Sequence, residues 1–157
     1  MTSYILTFLI SMVPLVELRG GVPFGIINGI PWQQALPLCM VANMVPVPFI
    51  FFFARKVLVW GADKKYIGKF FSFCLEKGTR GGEKLQAKAG RGIYIALLLF
   101  VGIPLPGTGA WTGTLAASML DLDFKKSVVS VVLGVLLAGI IMTVLSLTGV
   151  AAFNAAT

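Results

Sequence analysis

Glu17 and Arg19 stand two residues apart in the stretch "VPLVELRGGVP" (residues 13–23), between two apolar runs. A charge inside such a run is costly and marks a functional site by default. Spaced i, i+2, the two side chains point to different sides of a regular helix. On a broken helix tip both can reach one cavity. Arg19 stays protonated and offers a planar fork to a phosphate or carboxylate. Glu17 can take up a proton when desolvated. Gly20 and Gly21 loosen the backbone beside them. The competing reading is an internal ion pair that pins the turn.

A second stretch supplies complementary parts. "PLPGTGAWTGT" (104–114) has Gly107 and Gly109 for close backbone approach. Its Thr108 can cap a following helix, whose free N–H groups attract anions. Thr112 and Thr114 add hydroxyls, and Trp111 can wall an apolar ligand. The competing reading is tight packing of small residues between helices. A P-loop lysine is absent, so nucleotide hydrolysis is not implied. Asn43, mid-way along another apolar run, is expected to bond the backbone of a neighbouring turn. Asp121 and Asp123 lie near Lys125 and Lys126 and read as solvated, with an accessory coupling role as the alternative.

The chain has no histidine, and Cys39 and Cys74 have no metal-like spacing. No metal site, no His-based catalytic triad and no cofactor is expected. An enzyme is the weakest reading, and a proton or sodium gradient is the expected energy source.

These residues sit in a very apolar chain. Of 157 residues, 57% are hydrophobic and 12% charged, against about 25% charged in soluble domains. That composition reads as an integral membrane protein, multi-pass and all-α. The opening "MTSYILTFLI" lacks a basic n-region and a small-residue cleavage site, so no removable signal peptide is expected.

Four apolar segments follow: 4–30, 35–54, 93–120 and 127–153. The second and fourth are long enough to cross a bilayer, which takes about 20 residues. The first and third each begin with an arm of 13 residues, 4–16 and 93–105. Such an arm is roughly 20 Å long, past the middle of a ~30 Å core but short of crossing it. Each arm then meets proline and glycine, which break helices. Val13-Pro14-Leu15 and Ile103-Pro104-Leu105 lie 90 positions apart.

The expected fold is therefore an inverted repeat of two units, each a re-entrant helical hairpin plus one transmembrane helix. Repeat one covers 1–60, with its hairpin at 4–30 and its helix at 33–55. A basic linker with an amphipathic interfacial helix covers 56–91. Repeat two covers 92–157, with its hairpin at 93–120 and its helix at 126–153. Such repeats bind substrate near the midplane, where broken helices meet.

Charge placement agrees with this plan. Ten of the thirteen basic residues lie between Arg55 and Arg91. The positive-inside rule puts that block in the cytoplasm, facing lipid head groups rather than nucleic acid. Lys125 and Lys126 then fall inside, while 1–3, 28–34 and 154–157 fall outside and contain no Lys or Arg. Four plain spans would strand Lys125 and Lys126 outside.

"VPLVELRGGVPFG" together with "IPLPGTGAWTG" resembles the small multi-drug export protein family, similar in plan to the DedA (VTT-domain) superfamily. The resemblance covers essentially the whole chain. It implies paired re-entrant hairpins, membrane transport and the cytoplasmic membrane of a prokaryote. DedA relatives act in proton-motive-force-dependent processes and in returning undecaprenyl phosphate across the membrane, and their acidic and arginine hairpin residues correspond to Glu17 and Arg19. Their second tip carries arginines, whereas this one has Gly107-Thr108-Gly109.

The leading expectation is a secondary transporter or flippase for an anionic amphiphile, such as a polyprenyl-phosphate lipid. The alternatives are a proton-coupled exporter of small cationic drugs and a non-transporting membrane scaffold. Membrane lipids and a second copy of the chain are the expected partners, because two crossings enclose little.

Overall fold

The computed structural model describes residues 1–54, 92–105 and 107–156, together with positions 56, 60, 68, 69, 72, 73, 76, 77, 79, 80, 82 and 83. The core of the expected interfacial helix (Tyr66, Ile67, Phe70, Phe71 and Cys74) lies outside the described residues. Among those described, the chain is all-helical. Its elements are α1 (Thr2–Met12), α2 (Glu17–Ile27), α3 (Trp32–Met44), the short α4 (Val47–Phe49) and a π-helical turn (Ile50–Ala54). After the linker come α5 (Ile93–Gly102), α6 (Ala110–Met119) and α7 (Phe124–Ala156).

Both broken arms stop for the same local reason. α1 ends at Val13 (φ −69°, ψ 130°), the residue before Pro14. α5 ends at Ile103 (φ −80°, ψ 120°), the residue before Pro104. A proline ring pushes the preceding residue out of the helical region and into extended conformation. In contrast, Pro23 and Pro37 are carried inside α2 and α3. Two helical stretches are long and apolar enough to cross a membrane, Trp32–Phe53 and Phe124–Ala155.

Small residues set the packing of the first half. A Cβ on Gly25 would stand 3.1 Å from Thr7 and 3.3 Å from Ala35, and one on Gly21 would meet Ser11 and Cys39. Thr7 and Ser11, Gly21 and Gly25, and Ala35 and Cys39 are three i, i+4 pairs. They stack as two layers joining α1, α2 and α3. Residue order runs oppositely along α1 and α2, so the pair is antiparallel. α1 and α3 begin together, where Tyr4 Oη donates to Gln34 Oε1 (2.5 Å).

The second half has its own level. The backbone N–H of Asp123 donates to Tyr94 Oη (3.2 Å), so α5 and α7 begin together. Both then run the same way, with Gly134 against Leu98 and Val101 and Gly102 against Leu137. α3 and α7 are antiparallel: Phe124 packs on Phe51 and Phe52 (ring centroids 5.1 and 4.6 Å), while Gly139 meets Leu36 and Met40.

Leu18, Val22, Val47, Leu97, Val101, Val131 and Val135 form the buried core between the two halves. The outer surface is apolar too, with Ile27, Phe49, Ile95, Val129 and Val144 more than half exposed. Such a surface suits lipid rather than water.

Candidate functional site

The two breaks meet. Breaking a helix orphans carbonyls at the end of the first arm and N–H groups at the start of the second. At the second break those groups are the carbonyls around 101–108 and the amides at the N-terminus of α6. Glu17 and Arg19 come from the first break and satisfy one set each.

Glu17 takes the amides. Its Oε2 accepts from Ala110 N (3.2 Å) and its Oε1 from Trp111 N (2.9 Å). The carboxyl is 3% exposed. A carboxylate at a helix N-terminus is favoured by the helix dipole as well as by the two bonds. Gly109 makes room for it. This residue has φ 140°, a region open to glycine, and a Cβ here would stand 2.7 Å from Glu17 Cδ. Glu17 itself has φ 54° and Leu15 φ 71°. Left-handed backbone at non-glycine residues costs of order 1–3 kcal/mol each and collects at functional sites.

Arg19 takes the carbonyls. Its Nη1 donates to Leu105 O (2.7 Å) and to Thr108 O. Its Nη2 donates to Thr108 Oγ1 (2.9 Å), Ile103 O (3.3 Å) and Val101 O (3.4 Å). Only Nε is buried without a partner. The fork geometry of a guanidinium is what lets one side chain hold so many acceptors.

The other expected residues are placed as follows. Thr108 does not cap α6. The cap position is Gly109, and Glu17 takes the amides that Thr108 was expected to hold. The Thr108 hydroxyl instead accepts from Arg19 and faces Ile103 O and Leu105 O (both 2.9 Å). The reason is reach: the Glu17 carboxyl of the facing hairpin already occupies those amides. Gly107 (φ 80°) lies against Lys77 Nζ, which would be 3.3 Å from a Cβ there. Trp111 presents its backbone to Glu17, while its indole Nε1 is buried without a partner. Thr112 is buried on α6.

Gly20 and Gly21 serve packing instead, Gly20 near Val16 and Ile10 and Gly21 near Ser11 and Cys39. Asn43, expected to bond a hairpin backbone, bonds nothing. Its amide lies beside the Glu17 carboxyl, yet neither Nδ2 nor Oδ1 reaches hydrogen-bond geometry. Asp123 is a helix cap: its Oδ1 accepts from Lys126 N (2.9 Å) at the start of α7. Asp121 (φ 51°) precedes it, at the surface.

Thr114 was expected to add a hydroxyl at the second tip, whereas Ser127 carried no expectation. Both have buried hydroxyls without partners. The signal was the i, i+4 spacing of Thr114 and Ser118 on an apolar helix. Among the described residues no group of three or more His, Cys, Asp or Glu could hold a metal ion.

A family model described as "Putative small multi-drug export protein" matches residues 17–141. No curated protein and no solved structure matches the chain.

Proposed function

Because the chain belongs to the small multi-drug export protein family, we propose that it is a proton-coupled exporter of small amphiphilic cations, with Glu17 as the coupling group. In this reading each half is a re-entrant hairpin plus one spanning helix, and the halves are inverted. α1 and α3 begin at one end of the bundle, and α5 and α7 begin at the other, as the Tyr4–Gln34 and Tyr94–Asp123 contacts support. The broken tips then meet near the midplane, as in other inverted-repeat transporters.

One observation carries the reading. The carboxyl of Glu17, buried within one half, is bonded to the helix start of the other. Ionised, Glu17 accepts both amides and closes the junction. Protonated, it loses the charge that the helix N-terminus favours, and its O–H cannot pair with amides that are themselves donors. The junction weakens and the tips can part. A cationic substrate entering the gap competes with the proton for the same carboxylate.

The anionic-amphiphile reading fits less well, because both terminal nitrogens of Arg19 are already engaged by the chain's own oxygens.

The test is transport in proteoliposomes. Wild type should move a lipophilic cation against an imposed proton gradient. Glu17→Gln should stay folded but lose the dependence on that gradient. A short-chain polyprenyl phosphate should be neither bound nor moved. Gradient-driven transport by Glu17→Gln at the wild-type rate would remove Glu17 from the mechanism.

A further inference from the structure

A carboxyl buried as deeply as Glu17 needs a way to exchange its proton. Three polar side chains between it and one end of the bundle have no hydrogen-bond partner: Asn43 (both amide atoms), Thr114 and Ser127. They are 1%, 1% and 2% exposed. Buried polar groups are nearly always bonded to protein or to ordered water, so three in one region point to a shared partner.

Their depths are graded. Ser118 Oγ donates to Phe51 O (2.6 Å), and the Phe124 ring packs on Phe51, so these three residues share one level at the end where α7 begins. Counting inward at about 1.5 Å per helical residue puts Ser127 about 4.5 Å deep, Thr114 about 6 Å and Asn43 about 12 Å. Ala110, whose amide binds Glu17, is also about 12 Å deep by the same count. Thr114 lies one turn inward of Ser118 on the same face of α6. Asn43 lies beside Glu17. Along the bundle axis the successive depths differ by about 6 Å or less, on the order of the span that one water with two ordinary hydrogen bonds covers.

We propose that Ser127, Thr114 and Asn43 bind a short chain of water that carries protons between that end of the bundle and Glu17. The proposal rests on Glu17 being the coupling group. Hydroxyls and a carboxamide both donate and accept, so they can hold water in either orientation as a proton passes. Each hop makes one O–H bond and breaks one. The net change is a carboxylate plus one proton giving a carboxylic acid, with no other reactant. Val131 and Val135 on α7 belong to the apolar core that surrounds this region.

The charged groups facing Glu17 are few. Arg19 lies on its own helix, and Lys77 reaches Gly107 of the same tip from the linker. The thiol of Cys39 faces Gly21 rather than the carboxyl. Neither α1, α3, α5, α6 nor residues 127–156 of α7 carry a charged side chain. Among the described residues, α3, α6 and residues 127–156 of α7 therefore offer a proton bound for Glu17 no other acid or base.

The experiment follows the carboxyl directly. In the full-length protein in liposomes, the infrared band of protonated Glu17 is identified by its loss in Glu17→Gln. Its rise is then timed after a pH jump. Thr114→Val, close in shape and without a hydroxyl, should slow the rise at least tenfold, and Thr114→Ser should restore it. Asn43→Leu should slow it as well, and Ser127→Ala provides a smaller change should Asn43→Leu fail to fold. The thermal midpoint of each variant separates slow protonation from damage to the fold. If the folded Thr114→Val and Ser127→Ala variants both protonate Glu17 at the wild-type rate, the water route is wrong while the coupling role survives. If no Glu17 band titrates in wild type, the coupling role falls and the route falls with it.

Discussion

Arg19 reaches four carbonyls and one hydroxyl across the junction, and a lysine could not. Its single ammonium has three donors on one atom and no fork. A hydrogen bond to a charged group is worth roughly 1.5–3 kcal/mol net. Arg19→Lys is therefore expected to lose about that much stability, and Arg19→Gln more, in denaturant unfolding of the detergent-solubilised protein. Equal stability of wild type and Arg19→Lys would mean that the guanidinium is not a strut. Glu17 behaves differently, because its replacement by Gln keeps an acceptor oxygen for one amide. The two charges are thus separable by experiment: the proposed function has Arg19 hold the junction at any pH and Glu17 hold it only while ionised.

Helix contacts in this protein depend on missing side chains. Association in lipid lacks the hydrophobic drive available in water, so close approach of small residues takes its place. Gly134 shows how tight the second half is. A Cβ there would stand 2.7 Å from the carbonyl oxygen of Leu98 and 2.7 Å from Val101 Cβ. Backbone cannot swing aside as a side chain can. Gly134→Ala should cost about 1–3 kcal/mol by overpacking, more than the ~1 kcal/mol that alanine gains in helix propensity. Gly149, on the same helix, has nothing within 4 Å of a Cβ. Gly149→Ala should be neutral or mildly stabilising. Matched thermal midpoints for the two variants would contradict the α5–α7 packing.

At the scale of the whole molecule, the proposed inverted arrangement predicts which loops share a side of the membrane. Tyr4 and Gln34 meet at one end and Tyr94 and Asp123 at the other. In a background lacking Cys39 and Cys74, cysteines placed at Thr2 and Gln34 should react with an impermeant reagent added outside. A cysteine at Lys125 should react only from the cytoplasmic side, where the positive-inside rule would put the basic linker. Labelling of the Lys125 position from outside, with Thr2 and Gln34 protected, would reverse the topology. Four full crossings would instead place Asn28 and Thr2 on opposite sides.

Much of this was legible in the sequence because its causes are local. Apolar run length fixes which segments can cross, and Pro14 and Pro104 stop α1 and α5 through the residue just before each ring. Glu17 and Arg19 stood out because charge in an apolar run is costly wherever the run folds. What they bind is not local. A hydrogen bond spanning 86–94 positions depends on how two hairpins face each other, and no periodicity encodes that. So the sequence suggested that Thr108 caps α6 and that Asn43 bonds a backbone, each the nearest suitable group. Tertiary structure brought the Glu17 carboxyl to the helix start instead, and it left Asn43 beside that carboxyl with its amide unbonded. The identity of the broken ends was settled by chain stiffness. Their partners were decided by packing, which alone determines which distant donor and acceptor come within about 3 Å of each other.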